Sequence, residues 1–169
     1  MSEVVFRAAT LDDVAALHPL IERAYRGDTA KVGWTHEADL LFDTRISAEE
    51  LSALIADPDR VVLLAYRDDV LIGCVQVARA SEDLAYLGML TVEPTQQAFG
   101  LGRRLLAAAE AKAVSRFGAR RMEMTVINRR AELIAWYERR GYGPTGETRP
   151  FPVDPPRPEL DFVVLEKAL

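Results

Sequence analysis

Val92-Glu93-Pro94-Thr95-Gln96-Gln97-Ala98-Phe99-Gly100-Leu101-Gly102-Arg103-Arg104-Leu105-Leu106 is the stretch that best indicates how this chain folds. The residues that lead into it, 87–92, are almost all apolar or small, which is typical of a buried strand. Pro94 has no N–H to donate, so it ends the strand ladder. Leu101, Leu105 and Ala108 then recur at helical spacing. The stretch therefore predicts a strand, a tight turn and a helix.

The turn has the features of a phosphate site. Gly100 and Gly102 let the backbone come close to a ligand, and the N–H groups at a helix start have no partner within the helix. Arg103 and Arg104 add positive charge, although they could equally form a solvated helix face. No Gly-Lys-Ser/Thr follows, as a nucleotide P-loop requires, and Leu105 stands where a dinucleotide fingerprint has its third glycine.

The composition of the chain indicates the class of protein in which these motifs occur. The 169 residues are 49% hydrophobic and 28% charged, which predicts one globular domain over residues 1–169. The net charge of −5 argues against a nucleic-acid partner. No apolar run approaches the ~20 residues that span a bilayer, and no secretory signal is apparent, so we expect a cytoplasmic protein without a membrane partner. The single cysteine, Cys74, excludes an internal disulfide.

Strand and helix patterns alternate along the chain. Strand patterns occupy residues 3–9, 61–67, 70–80, 84–92, 120–127, 142–148 and 160–166. Helices are predicted after Thr10, after the capping box Ser47-x-x-Glu50, from Gly100 to Gly118, and over residues 129–140. This order predicts an α/β fold.

A second segment narrows the function. Residues 126–142 predict a strand, then Asn128, then a helix that carries Tyr137 and ends at Gly141-Tyr142. This segment and the glycine turn, in this order, resemble the GNAT superfamily of N-acetyltransferases over essentially the whole chain. The resemblance implies a mixed, mostly antiparallel sheet of about six or seven strands flanked by helices, with the fourth and fifth strands splayed. It also implies an enzyme that uses acetyl-CoA as cosubstrate and no metal.

The same resemblance implies the cofactor site. Leu90 and Val92 would offer backbone groups to the pantetheine arm, and Asn128 would reach it with its side chain or act as a helix N-cap. Tyr137 would protonate the leaving thiolate, or else be a core aromatic beside Trp136. A tyrosine carries a proton that it can donate at neutral pH, since its ordinary pKa is near ~10. The pyrophosphate would be bound by Gln97, Ala98, Phe99, Gly100, Leu101, Gly102, Arg103 and Arg104.

The acceptor side is less defined. Residues 33–45 combine an aromatic, a histidine and charged groups, and Trp34, Glu37 and Arg45 are candidates for contacting the acceptor, against a plain packed connection. An alkyl amine must lose a proton before it attacks, so a base or a water chain is needed. The sequence offers Glu93, Glu82, Asp83, Glu37 and Asp39 for this role and favours none.

Three functions stay open at this level. The first is acetyl transfer to the primary amine of a small molecule. The second is transfer to a peptide or protein N-terminus or lysine, and the third is a non-catalytic acyl-CoA-binding regulatory domain. Asn128 and Tyr137 favour an enzyme, because a binding module needs no proton donor. The oligomeric state is open, a homodimer included.

Overall fold

A computed structural model of the protein describes residues 3–25, 46–95, 100–150 and 159–169. In these ranges the chain forms seven strands, four α-helices and a short 3-10 helix over Leu11–Asp13. The strands are β1 (Val4–Ala8), β2 (Arg60–Arg67), β3 (Val70–Arg79), β4 (Leu84–Val92), β5 (Arg121–Ile127), β6 (Gly143–Pro150) and β7 (Asp161–Ala168). The helices are α1 (Val14–Tyr25), α2 (Ala48–Ala56), α3 (Leu101–Phe117) and α4 (Ala131–Glu138).

All seven strands belong to one sheet in the order β1-β2-β3-β4-β5-β7-β6. Every neighbouring pair is antiparallel except β4 and β5, which are parallel and are connected through α3. A parallel pair requires such a crossover, whereas antiparallel strands can be joined by a short turn. The predicted mixed, mostly antiparallel sheet is therefore what the chain forms.

Local sequence signals account for several element ends. Ser47 caps α2 by accepting from the Glu50 N–H, while the Glu50 carboxylate accepts from the Ser47 N–H, as the capping box predicts. Asp68 and Asp69 both have positive φ, which makes the β2–β3 connection a two-residue hairpin turn. Gly118 ends α3 in the left-handed conformation.

The sheet separates two apolar cores. On one face, α1 and α2 pack over β2 and β3 through residues that include Leu17, Leu51 and Leu64. On the other face, α3 packs over β3 and β4, with Leu105 and Met122 fully buried, and Tyr137 of α4 joins this second core. Helices on both faces hold the middle of the sheet between them, and the edge strands β1 and β6 are the more exposed ones.

The sheet opens between β4 and β5. The two strands pair at three positions, where Leu84, Ala85 and Tyr86 face Arg121, Met122 and Glu123. Past Tyr86, β4 stays with β3 as far as Val92, whereas β5 stays with β7 as far as Ile127. The predicted splay of the fourth and fifth strands is thus a consequence of each strand following its other neighbour.

Several predicted boundaries differ from the structure by one or two residues, including the start of α4 and the end of β6. The last helix begins at Ala131 and not at residue 129, because Arg130 and not Asn128 is its N-cap. The sixth strand continues to Pro150 instead of ending at residue 148, since Arg149 and Pro150 still pair with β7. Pro150 is tolerated there because β6 is an edge strand. Within the described residues, no helix is long and apolar enough to cross a membrane.

Gly73 lets α3 pack closely against β3. A Cβ at Gly73 would lie 2.8 Å from Leu105 Cδ1 and 2.9 Å from the backbone oxygen of Thr91. Gly73→Ala should therefore lower the free energy of unfolding by about 1–3 kcal/mol, the usual cost of overpacking, when measured by urea denaturation.

The control for this variant is Gly143→Ala. A Cβ at Gly143 has no described neighbour within 4 Å, so unfolding should change little. Equal stability of the two variants would show that α3 does not depend on a glycine at position 73.

Candidate active site

The opening between β4 and β5 forms a cleft that continues to α4. Its walls carry both apolar and polar side chains, including a tyrosine and an arginine from the α4 region. The lining residues are Tyr86, Leu87, Gly88, Met89, Leu90, Met124, Thr125, Val126, Ile127, Arg130, Leu133, Tyr137 and Phe162.

A bulge in β4 shapes one wall of the cleft. Gly88 and Thr91 pair with Gln76 and Cys74 of β3, so three steps along β4 face only two steps along β3. The extra residue bends β4 at Met89, whose φ of 52° is rare for a residue other than glycine. The Thr91 hydroxyl donates to the Met89 carbonyl at 2.9 Å and holds this bend. The sequence prediction did not include the bulge, although Gly88, next to Met89, is an isolated glycine inside a strand, which is a signal for one.

A side-chain hydrogen bond closes the narrow end of the cleft. Tyr86 Oη and Thr125 Oγ1 lie 2.8 Å apart and join β4 to β5 just past their last ladder pair. Glu123, the partner of Tyr86 in that pair, is buried and accepts two bonds from the Arg149 guanidinium of β6. These contacts mark where the gap begins, so ligand space lies toward Leu90 and Ile127.

Tyr137 is held in a stack of aromatic rings. It is buried, lines the cleft, and makes edge contacts with Trp136 at 5.0 Å and with Tyr142 at 5.9 Å between ring centroids. Tyr142 is fixed in turn, because its hydroxyl donates to Glu110 of α3 at 2.7 Å and Glu110 also binds Lys167 of β7. The Tyr137 ring is therefore positioned by three elements of the fold.

Tyr142 itself stays protonated. Burial, the hydrogen bond to Glu110 and the charge of that carboxylate all raise the pKa of Tyr142 above its ordinary value. It therefore acts as a neutral packing and hydrogen-bonding group beside Tyr137 over the range in which proteins are folded.

The start of α3 lies beside this stack. Gly100 precedes the helix with φ of 73°, a conformation that glycine adopts without strain. A Cβ at Gly102 would sit 3.6 Å from Trp136 and 3.8 Å from Val92, so the helix start, the end of β4 and α4 meet at this glycine. The first turn of α3 contains no acidic residue. The helix start thus lies beside Val92, two residues beyond Leu90 of the cleft lining.

The two arginines of this turn differ. Arg103 folds back toward Gly100, where a Cβ would lie 3.6 Å from Arg103 Nη2. Arg104 instead lies over the Phe6 ring of β1, at 5.6 Å from its centroid. Only Arg103 is directed at the helix start. Of the other residues predicted for the pyrophosphate site, Gln97, Ala98 and Phe99 lie outside the described residues.

Asn128 and Arg130 have different places from those the sequence suggests. Asn128 is exposed, and its amide bonds the Glu159 carbonyl and the Asp161 N–H, which ties the end of β5 to the start of β7. It is not the N-cap of α4. Arg130, 4% exposed, is the N-cap residue and lines the cleft. The sequence contains no signal that separates Arg130 from Arg129, because the direction of each side chain depends on where the helix begins.

The structure describes three of the five candidate bases, namely Glu93, Glu82 and Asp83. Glu93 accepts from Arg23 of α1 at 2.7 Å, so this ion pair holds it at the end of β4. Glu82 and Asp83 lie at the closed, paired end of β4, where Asp83 binds Arg121. The acceptor candidates Trp34, Glu37, Asp39 and Arg45 lie outside the described residues. Among those that are described, no group of three or more His, Cys, Asp or Glu side chains could hold a metal ion.

A comparison with protein families decides the family of the chain. Residues 15–142, well over half of the sequence, match the model of the Acetyltransferase (GNAT) family. The chain belongs to the GNAT family of acetyltransferases. The predicted enzyme class, an acyltransferase, is thereby confirmed. A search of curated proteins finds no significant match.

Solved structures share the fold of this GNAT acetyltransferase. PaiA N-acetyltransferase from Thermoplasma acidophilum, in complex with coenzyme A, is 20% identical, with a TM-score of 0.75 over 99% of each chain. Ribosomal-protein-alanine N-acetyltransferase from Brucella melitensis is 22% identical, with a TM-score of 0.73 over 98% of this chain and 99% of its own. A chimera built on spermidine N-acetyltransferase from Vibrio cholerae is 17% identical, with a TM-score of 0.74 over 99% and 96%.

Proposed function

We propose that residues 1–169 act as one acetyltransferase domain that transfers the acetyl group of acetyl-CoA to the primary amine of a small molecule. The observation that carries this proposal is the meeting of three parts at Gly102. The N-terminus of α3, the end of β4 at Val92, and Trp136 next to Tyr137 are in contact there. A ligand with a phosphate at one end and a thioester at the other can therefore lie across all three.

The start of α3 is suited to the pyrophosphate. The helix dipole places positive potential at this end, and the first N–H groups have no acceptor within the helix. Arg103 adds a cation at a helix end where the dipole disfavours one, and a bound anion offsets that cost. Gly100, Leu101 and Gly102 would supply backbone donors. Gln97, Ala98, Phe99 and Arg104 remain proposed contacts on the strength of the family pattern.

The pantetheine arm would lie in the cleft. There it can pair with β4 as an added strand would, through backbone groups of Leu90 and Val92. Leu90 lines the cleft and Val92 leads from it to Gly102. Asn128 stays a predicted pantetheine contact, although its amide bonds Glu159 and Asp161. Arg130 is a cleft-lining donor that the sequence did not indicate.

The proposed chemistry is direct transfer. The neutral amine attacks the thioester carbonyl, a C–N bond forms, and the C–S bond breaks to release the thiolate of coenzyme A. The amine passes a proton to a base or a water chain, and Tyr137 gives its proton to the thiolate. This last transfer is uphill by about 2 kcal/mol for groups with the ordinary pKa values of tyrosine and thiol, near ~10 and ~8.5, and release of the thiol followed by reprotonation of Tyr137 from solvent completes the step.

The nature of the acceptor is the finer part of the proposal. Tyr86, Thr125 and Phe162 line the cleft, and they offer hydroxyl and aromatic contacts to a small amine. The net charge of −5 favours a cationic molecule. Trp34, Glu37 and Arg45 are proposed to complete the acceptor side. Since similar structures act on spermidine in one case and on a protein alanine in another, polyamines and peptides both belong in the test.

Gly102→Val should weaken the binding of acetyl-CoA, because its γ-methyl groups reach Trp136 and Val92 and displace them from the helix start. We expect the Kd measured by calorimetric titration to rise at least about tenfold, which corresponds to the loss of about one charge-assisted contact.

Gly102→Ala is the matched control. Its Cβ would meet Trp136 at 3.6 Å, an ordinary contact, so affinity should stay within a few fold of wild type. Unchanged affinity in Gly102→Val would remove α3 from the proposed pyrophosphate site.

Tyr137→Phe tests the proton donor. If Tyr137 protonates the thiolate, kcat should fall by about 10²-fold or more with little change in the Kd of acetyl-CoA, since general acids typically contribute about that factor. The assay is thiol release from acetyl-CoA with a panel of polyamines, amino acids, other alkyl amines and peptides.

Trp136→Phe serves as the control for aromatic packing, because it alters the same stack without touching the hydroxyl of Tyr137. Equal pH profiles of kcat for wild type and Tyr137→Phe would exclude Tyr137 as the acid. Tight binding of acetyl-CoA with no turnover for any amine would instead favour a non-catalytic binding domain.

A further inference from the structure

Three arginines come from the start of α3 and the end of α4, which meet at Trp136, and the proposed mechanism uses only one of them. Arg103 comes from the first turn of α3, whereas Arg139 and Arg140 follow the end of α4. We call these three residues the arginine cluster. Within the part of the chain that the structure describes, no carboxylate pairs with any of them.

Arg140 is held in a defined position. Its guanidinium lies over the Trp136 ring at 4.4 Å from the centroid, and Nη1 donates to the Trp136 carbonyl at 3.2 Å. Arg140 Nε is buried and has no hydrogen-bond partner among the described residues. The same Trp136 ring touches the position of a Gly102 Cβ at 3.6 Å. One face of Trp136 therefore carries Arg140 and its outer edge contacts the helix start.

The cluster carries an electrostatic cost. Desolvation and then the charges of Arg139 and Arg103 lower the pKa of Arg140, so Arg140 lies in an environment that disfavours its charge. The dipole of α4 favours a cation at its C-terminal end and accounts for Arg140 bonding a carbonyl there. It does not account for Arg103, which comes from the N-terminal end of another helix. An anion between the two helix ends would offset this cost.

Coenzyme A has the charge distribution that this arrangement requires. Its 5′-pyrophosphate and its 3′-phosphate are separated by one ribose, so they need two neighbouring cationic positions. If the pyrophosphate lies on the N-terminus of α3 with Arg103, the second cationic position is on the adjoining face of Trp136.

We propose that Arg140, with Arg139 beside it, binds the 3′-phosphate of coenzyme A, an inference that rests on the proposed use of acetyl-CoA. The site selects coenzyme A over its 3′-dephospho form and over a pantetheine thioester without the nucleotide. The Trp136 ring keeps the guanidinium in place, so little side-chain entropy is lost on binding.

The test is a comparison of Kd for coenzyme A and 3′-dephospho-coenzyme A by calorimetric titration, which requires no acceptor. Wild type should bind coenzyme A at least about tenfold more tightly than the dephospho form, because the 3′-phosphate adds about one charge-assisted contact. In Arg140→Gln this preference should fall close to one, while the Kd for the dephospho form stays near that of wild type.

Three further variants serve as controls for Arg140→Gln. Arg140→Lys should recover part of the preference for coenzyme A. Arg139→Gln removes an exposed charge and should lower the preference by a smaller factor than Arg140→Gln does. Arg120→Gln removes one positive charge beyond the far end of α3 and should keep the full preference. A thermal melt of each variant verifies that it is folded.

Two results would overturn the inference alone. Equal affinity of wild type for the two ligands would show that the 3′-phosphate is not bound. An equal loss for both ligands in Arg140→Gln would place Arg140 at the pyrophosphate or in the packing of Trp136. If neither ligand binds, the proposed use of acetyl-CoA fails as well. Tight selective binding without turnover of any amine would support the 3′-phosphate site and contradict only the proposed catalysis.

Discussion

The separation of β4 from β5 is the constraint on which the site depends. Their parallel ladder has three pairs, after which β4 remains hydrogen-bonded to β3 and β5 remains hydrogen-bonded to β7. The bulge at Met89 bends β4 where the gap begins, and the Tyr86–Thr125 hydrogen bond closes the narrow end. A sheet that kept pairing along both strands would have no cleft, and Tyr137 would be an ordinary core aromatic.

Helix packing converts this gap into a site of defined polarity. Gly73 allows α3 to lie close to the sheet, so the N-terminus of α3 comes to the end of β4. Trp136 of α4 contacts Gly102 there. Glu110 holds Tyr142 by a hydrogen bond, and the Tyr142 ring in turn packs against Tyr137 and fixes its orientation. Positive potential at one end and a phenol at the other match a ligand that is anionic at one end and carries a thioester at the other. The arginine cluster extends the positive end beyond the helix start.

Local patterns were sufficient to predict the order of elements, the capping box at Ser47 and the helix that begins at Gly100, because each depends on residues only a few positions apart. Arg130 and Asn128 show where such reasoning stops. Asn128 is engaged by Glu159 and Asp161, about thirty residues further along the chain. The start of α4 is set by Arg130, whose backbone angles no nearby residue dictates. Pairing with a distant segment, and not local preference, directs the Asn128 side chain.

Backbone amide hydrogen exchange with and without coenzyme A tests the central claim most directly, namely that the cofactor lies in the gap between β4 and β5 and on the start of α3. The account predicts slower exchange at residues 87–92 and 100–104 when coenzyme A is added, and no change in the hairpin of β2 and β3 around Asp68 and Asp69. Slower exchange confined to other elements, or no change in β4 despite measurable binding, would contradict it.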